Sequence, residues 1–172
     1  MKKQNIIIFI IILSLVTLMV TCQDGEIKDS QTAEVSKAQI IEYDSLTAKK
    51  YGADEYGMKK YVIAFLKKGT NHNLDSTKTN ELQTAHLRNI QTMGNEGKLI
   101  IAGPFFGDGD LRGIYIFNVK SIEEAEKLTN SDPAIQAGIL AMELKEWYGP
   151  AALMMVNDVN ETLTKKKIIP EK

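Results

Sequence analysis

Apolar residues are distributed along this chain in three ways. Residues 6–20 form an almost unbroken apolar run. From Gln23 to about Tyr56, apolar residues such as Ile40, Ile41 and Leu46 are scattered among Ser, Thr, Lys, Glu and Asp. From about residue 58 to 157 they come in short blocks set off by glycine, and this region carries the regular elements. Lys60-Tyr61-Val62-Ile63-Ala64-Phe65-Leu66, closed by Gly69, is β-branched and aromatic and predicts a buried strand. Leu82, His86, Ile90 and Met93 recur at helical spacing and predict a one-faced helix over residues 80–93, stopped by Gly94 and Gly97. Leu99-Ile100-Ile101-Ala102 and Ile114-Tyr115-Ile116-Phe117-Asn118-Val119 predict two more strands. The Gly/Asp-rich loop 103–110 between them suits an antiparallel hairpin with a long turn.

A second helix starts at Ser121-Ile122-Glu123-Glu124, the capping-box spacing, with Ala125 and Leu128 pointing inward. Asp132-Pro133 restarts it, with Asp132 as N-cap and Pro133 at the first helical position, and Gly138 closes it. Residues 142–148 predict a fourth strand with Trp147 near its end. The order strand–helix–strand–strand–helix–strand (βαββαβ) is the α+β, ferredoxin-like split βαβ arrangement. Two helices on one face of a four-stranded sheet leave the other face bare. A homodimer packed through those sheet faces is therefore expected.

The flanks have other characters. Lys2 and Lys3 before the apolar run are the charged and hydrophobic regions of a secretory signal, residues 1–21. At 1.5 Å per residue the run reaches about 24 Å, short of a hydrocarbon core of ~30 Å. Leu18-Met19-Val20-Thr21-Cys22 resembles a bacterial lipoprotein lipobox, which implies a lipidated Cys22 and a domain held on a membrane outside the cytoplasm. The alternative is an uncleaved signal anchor. Residues 22–57 then form a flexible or partly helical tether, 58–157 the folded domain, and 158–172 a polar tail that includes Lys165-Lys166-Lys167.

Charge and cysteine count narrow the classes. With 21 Lys+Arg against 22 Asp+Glu in 172 residues, the net charge is −1, and nucleic acid is not an expected partner. A single cysteine excludes an intramolecular disulfide framework and a Cys-rich zinc site. Asp108-Gly109-Asp110 resembles the start of a calcium loop. Arg112 and Val119 stand where oxygen ligands are needed, so no metal site is expected, and no cofactor either. The second histidine, His72, falls in a polar loop.

The run Gly97-Lys98-Leu99-Ile100-Ile101-Ala102-Gly103-Pro104-Phe105, then Leu111-Arg112-Gly113-Ile114-Tyr115-Ile116-Phe117, then Glu123-Glu124-Ala125 and Asp132-Pro133-Ala134, resembles the YCII-related (YciI-like) family. The upstream His86-Leu87 pair fits as well, and the resemblance covers about residues 58–150. It implies the dimeric α+β barrel fold and a His–Asp pair in a cleft, here His86 and Asp132.

Those two residues suit acid/base work. A histidine exchanges a proton near neutral pH, and a carboxylate on one ring nitrogen fixes its tautomer and stabilises the imidazolium. Arg112 is a candidate to receive an anionic or phenolic oxygen, or else is a plain strand charge. Phe105, Phe106, Tyr115 and Trp147 are candidates to line an apolar cleft or else are core packing, and Gly103, Gly107, Gly109 and Gly113 either let a ligand approach the backbone or merely permit the turn. Taken with the resemblance, these suggest a small cyclic or aromatic ligand, with elimination or isomerisation as the reaction class that the resemblance implies. A non-catalytic ligand-binding or accessory module using the same cleft is the alternative. A haem-handling enzyme of the same general fold would need His86 as an axial ligand.

Overall fold

A computed structural model describes residues 42–169; the signal segment, Cys22 and most of the expected tether lie outside that range. Its first element is a short helix, α1 (Ser45–Tyr51), capped by Asp44, whose side chain accepts from the amides of Leu46 and Thr47. The stretch expected to be a spacer is therefore partly helical, and it is tied to the domain. Lys59 Nζ donates to the Tyr51 carbonyl, and Tyr148 donates to Asp54.

The core elements follow in the expected order: β1 (Met58–Lys68), α2 (Ser76–Asn95), β2 (Leu99–Pro104), β3 (Leu111–Phe117), α3 (Ile122–Asn130), α4 (Pro133–Gln136) and β4 (Leu140–Pro150). The sheet is antiparallel with order β2-β3-β1-β4. That is the ferredoxin-like topology, with the first and third strands at its centre. Helix α2 begins a turn earlier than its apolar spacing suggests, because Asp75 caps it by accepting from Lys78 N at 2.8 Å. Ser121 caps α3 as its spacing implies, accepting from Glu124 N, while the Glu124 carboxylate reaches back to Lys120 N at 2.9 Å.

Strand alternation divides the sheet into two faces. Val62, Ala64 and Leu66 of β1, with Tyr115 and Phe117 of β3, face α2 and α3 and pack with Met93 and Ala125. Tyr61, Ile100 and Ile116 form a separate cluster on the far side. This far side departs from expectation. The chain continues past β4 into a 3₁₀ turn (Ala151–Met155) and a helix, α5 (Val156–Leu163), which runs across residue 158 and is exposed from Asp158 onward. Leu153, Met154 and Val156 pack on the far-side cluster and cover part of the face that a second copy was expected to cover. The sequence hides this because Ala151-Ala152-Leu153-Met154-Met155 is too short to show a period. The uncovered part is mixed in character. Ile63 and Phe65 are half-buried there, but their β4 partners are Lys145 and Glu143, and Glu143 is ion-paired to both Lys67 and Lys145.

Two backbones meet closely where β1 ends and β4 begins. A Cβ built on Gly69 would stand 2.0 Å from the Gly138 carbonyl oxygen, and Gly138 itself has φ +70°. Gly69 N also donates to Ile139 O at 2.9 Å. Gly69→Ala is expected to destabilise the domain by about 3 kcal/mol, since neither backbone can yield without moving β4. A urea midpoint unchanged from wild type would refute this packing.

Candidate functional site

His86 lies on the buried stripe of α2, one turn after Leu82 and one turn before Ile90, and is 6% exposed. Asp132 stands at the junction of α3 and α4 and is 0% exposed. Its two oxygens have separate partners. Oδ1 accepts from Ala134 N at 2.9 Å, the N-cap bond of α4, and Oδ2 meets His86 Nδ1 at 2.6 Å. The local capping rule thus fixes the carboxylate, and the packing of α2 against α4 brings the imidazole to it.

Burial alone would push the Asp132 carboxyl up. The hydrogen bond and charge of His86, the Ala134 amide and the nearby Asn89 side chain outweigh it and hold the carboxyl below the usual range. The Asn89 amide nitrogen, one turn along α2 from His86, is buried without a fully formed hydrogen bond, so its effect on Asp132 is one of proximity. Because the folded carboxyl titrates low, Asp132 adds stability at pH values above the ordinary aspartate value of about 3.9. That stability is lost as pH falls through the folded pKa.

The other ring nitrogen is occupied too. Tyr115 Oη lies 3.2 Å from His86 Nε2, with the rings 6.2 Å apart and 21° from parallel. Tyr115 is 2% exposed and packs edge-on against Phe117. Burial first, and the Asp132 charge second, push its hydroxyl well above the usual phenol range. Its place beside His86 is a long-range contact that spacing alone does not show, although strand alternation carries part of the signal. Tyr115 and Phe117 share a face of β3, opposite to Ile114 and Ile116.

His86 and Tyr115 both line a cleft of about 670 Å³, within the range of small-molecule sites. Gly103, Phe105 and Arg112 line it as well, so the structure brings these expected residues together. Asp132 sits behind His86, outside the lining. Arg112 is exposed and spends donors on the carbonyls of Gly107 and Gly109, each at 3.4 Å, which braces the loop at the cleft edge. Gly113 is required by strand packing, since a Cβ there would stand 2.5 Å from Gly103 O. Gly103 has open space around it.

Trp147 does not line the cleft. It pairs with Tyr61 across β1 and β4 on the far face, with ring centroids 5.9 Å apart, because odd-numbered positions of β4 point away from α2. His72, read as a loop residue only, lines the cleft from the β1–α2 connection. A second hollow of about 480 Å³ is a depression along the polar side of α2, among Thr77, Asn80, Glu81, Thr84 and Arg88. It contains neither member of the His–Asp pair.

The fold is thus a mixed α+β one with a four-stranded antiparallel sheet, in which a buried carboxylate holds a histidine beside a cleft. The chain belongs to the YCII-related domain family, whose model matches residues 60–148. No curated protein matches it in sequence. Among solved structures it is similar to the 5-chloro-2-hydroxyhydroquinone dehydrochlorinase (TftG) from Burkholderia phenoliruptrix AC1100 in complex with 2,5-dihydroxybenzoquinone. The two share 23% identity over 52% of this chain and 93% of that one, with a TM-score of 0.39. Among the described residues, no helix is long and apolar enough to cross a membrane.

Proposed function

We propose that the cleft binds a small cyclic or aromatic molecule and that the His86–Asp132 pair exchanges a proton with it, in an elimination or isomerisation. One observation carries this reading: a buried 2.6 Å hydrogen bond links Asp132 to a histidine that lines a cleft of about 670 Å³. A carboxylate kept ionised by its surroundings holds the imidazole in one orientation and tautomer, as a general acid/base needs. Residues of mixed character line the space, with Phe105, Ile90 and Leu140 to pack against a ring and Arg112 to meet an oxygen.

The test is NMR of the full chain titrated with 4-nitrophenol. Shifts centred on His86, Gly103 and Phe105, with Trp147 unmoved, are expected. Saturable shifts centred elsewhere would contradict the site. A second reading, ligand capture without chemistry, is favoured by the occupied Nε2, which leaves His86 no ring nitrogen free for a ligand. The same occupancy speaks against axial ligation of a haem iron, which would have to displace Tyr115.

The assembly and location belong to the same proposal. The uncovered strip around Ile63 and Phe65 is where a second copy would pack, and light scattering of the protein in detergent should give a dimer once detergent mass is subtracted. A monomer would contradict it. Cys22, at the end of the apolar run, is read as the lipidated residue that holds the domain to a membrane outside the cytoplasm. Mass spectrometry of the membrane fraction should find a diacylglyceryl-modified N-terminal Cys22; an unmodified thiol there would end the lipoprotein reading.

A further inference from the structure

We infer that Tyr115 Oη, backed by His86 and Asp132, is the atom that trades a proton with a ring hydroxyl of the bound molecule; this rests on the proposed acid/base reading and names its contact atom and ligand class. The ionised Asp132 Oδ2 can only accept, so His86 Nδ1 must carry the hydrogen of their 2.6 Å bond. In the neutral imidazole Nε2 is then the bare nitrogen. The Tyr115 hydroxyl, 3.2 Å away, donates to it. With its hydrogen turned toward His86, Tyr115 offers oxygen lone pairs to whatever occupies the cleft it lines.

A ligand hydroxyl placed there completes a chain. Its O–H bond breaks as its proton joins Tyr115 Oη, and the former Tyr115 proton joins His86 Nε2. The products are a ligand oxyanion, a neutral Tyr115 and an imidazolium beside Asp132. No other reactant enters, and the reverse movement returns the proton. Tyr115 never has to persist as a phenolate, which its burial and the Asp132 charge both disfavour. For His86 to reach a ligand directly, the Tyr115 ring would have to leave a packed, 2% exposed position against Phe117. The ligand class that follows is a small ring bearing an acidic hydroxyl, a phenol or an enol, at the His86 end of the cleft.

The probe is 4-nitrophenol, whose phenolate absorbs visibly, added to the full chain at a pH below the pKa of the free probe. Wild type should bind it and raise the bound phenolate fraction. Tyr115→Phe should still bind it in the cleft but lower that fraction by about tenfold. In unmodified protein, probe binding should also move the ¹⁵N signal of His86 Nε2 to its protonated position, a readout that does not depend on any variant folding. If Tyr115→Phe keeps the phenolate while His86→Gln loses it, the relay through Tyr115 is overturned and the His86 acid/base reading stands. Binding of the probe as neutral phenol by wild type overturns the relay and favours capture without chemistry. Absence of binding overturns both.

Discussion

His86→Ala is expected to reduce proton exchange with a bound ring by about 10²–10⁴-fold, the usual contribution of a general acid/base. A loss of stability should accompany it. The ring is buried between Asp132 and Tyr115, so truncation leaves an ionised carboxylate without its partner and a phenol hydroxyl without its acceptor. The cost is about 3–5 kcal/mol, as for other broken buried pairs. His86→Gln separates the two effects, because an amide can accept from Tyr115 or donate to Asp132 yet neither gains nor releases a proton at neutral pH. It should unfold nearer to wild type in urea and remain inactive. Turnover by His86→Gln within about twofold of wild type would remove His86 from the chemistry.

Asp132 serves two structures at once, and its variants should separate them. Asp132→Ala removes both the cap of α4 and the partner of His86, for a loss of about 3–5 kcal/mol. Of that, about 1 kcal/mol belongs to the cap. Asp132→Asn can keep the bond to Ala134 N through its carbonyl oxygen, but it then turns an NH₂ group toward His86 Nδ1. The imidazole must accept there and carry its hydrogen on Nε2, facing Tyr115. The protein should stay folded while proton exchange falls about as far as in the histidine variants. Its acid limb should also flatten. Wild type loses the Asp132 contribution as pH drops through the lowered folded pKa, and an amide has nothing to titrate. Urea midpoints measured from neutral pH into the acid limb check this; parallel curves for the two proteins would contradict it.

The parts of this site legible in the sequence are those set by local rules. Asp132-Pro133 announces a helix start, and the spacing of Leu82, His86, Ile90 and Met93 announces the face on which His86 lies. Strand and helix order gave the topology, because β-branched blocks and glycine stops are short-range signals. What was missed depends on contacts between distant residues. Tyr115 meets His86 across 29 positions, a contact that requires knowing which face of β3 lies under α2. Aromatic chemistry alone suggests Trp147 for the cleft, but the register of β4 against β1 turns it to the other side. The far face was expected bare because the Ala151–Met155 turn and α5 carry little periodicity, yet their Leu153, Met154 and Val156 find Tyr61 and Ile116.

The central claim is that an ionised Asp132 fixes His86 in one tautomer, with its bare nitrogen toward Tyr115 and the cleft. The measurement closest to it is ¹⁵N NMR of the histidine side chains at a pH where both are neutral. With only two histidines in the chain, a single substitution of the exposed His72 assigns the spectrum. His86 should show a protonated Nδ1 and an unprotonated Nε2, and Asp132→Asn should reverse the pair. A His86 ring that averages freely between tautomers, or that carries its hydrogen on Nε2 in wild type, would contradict the account.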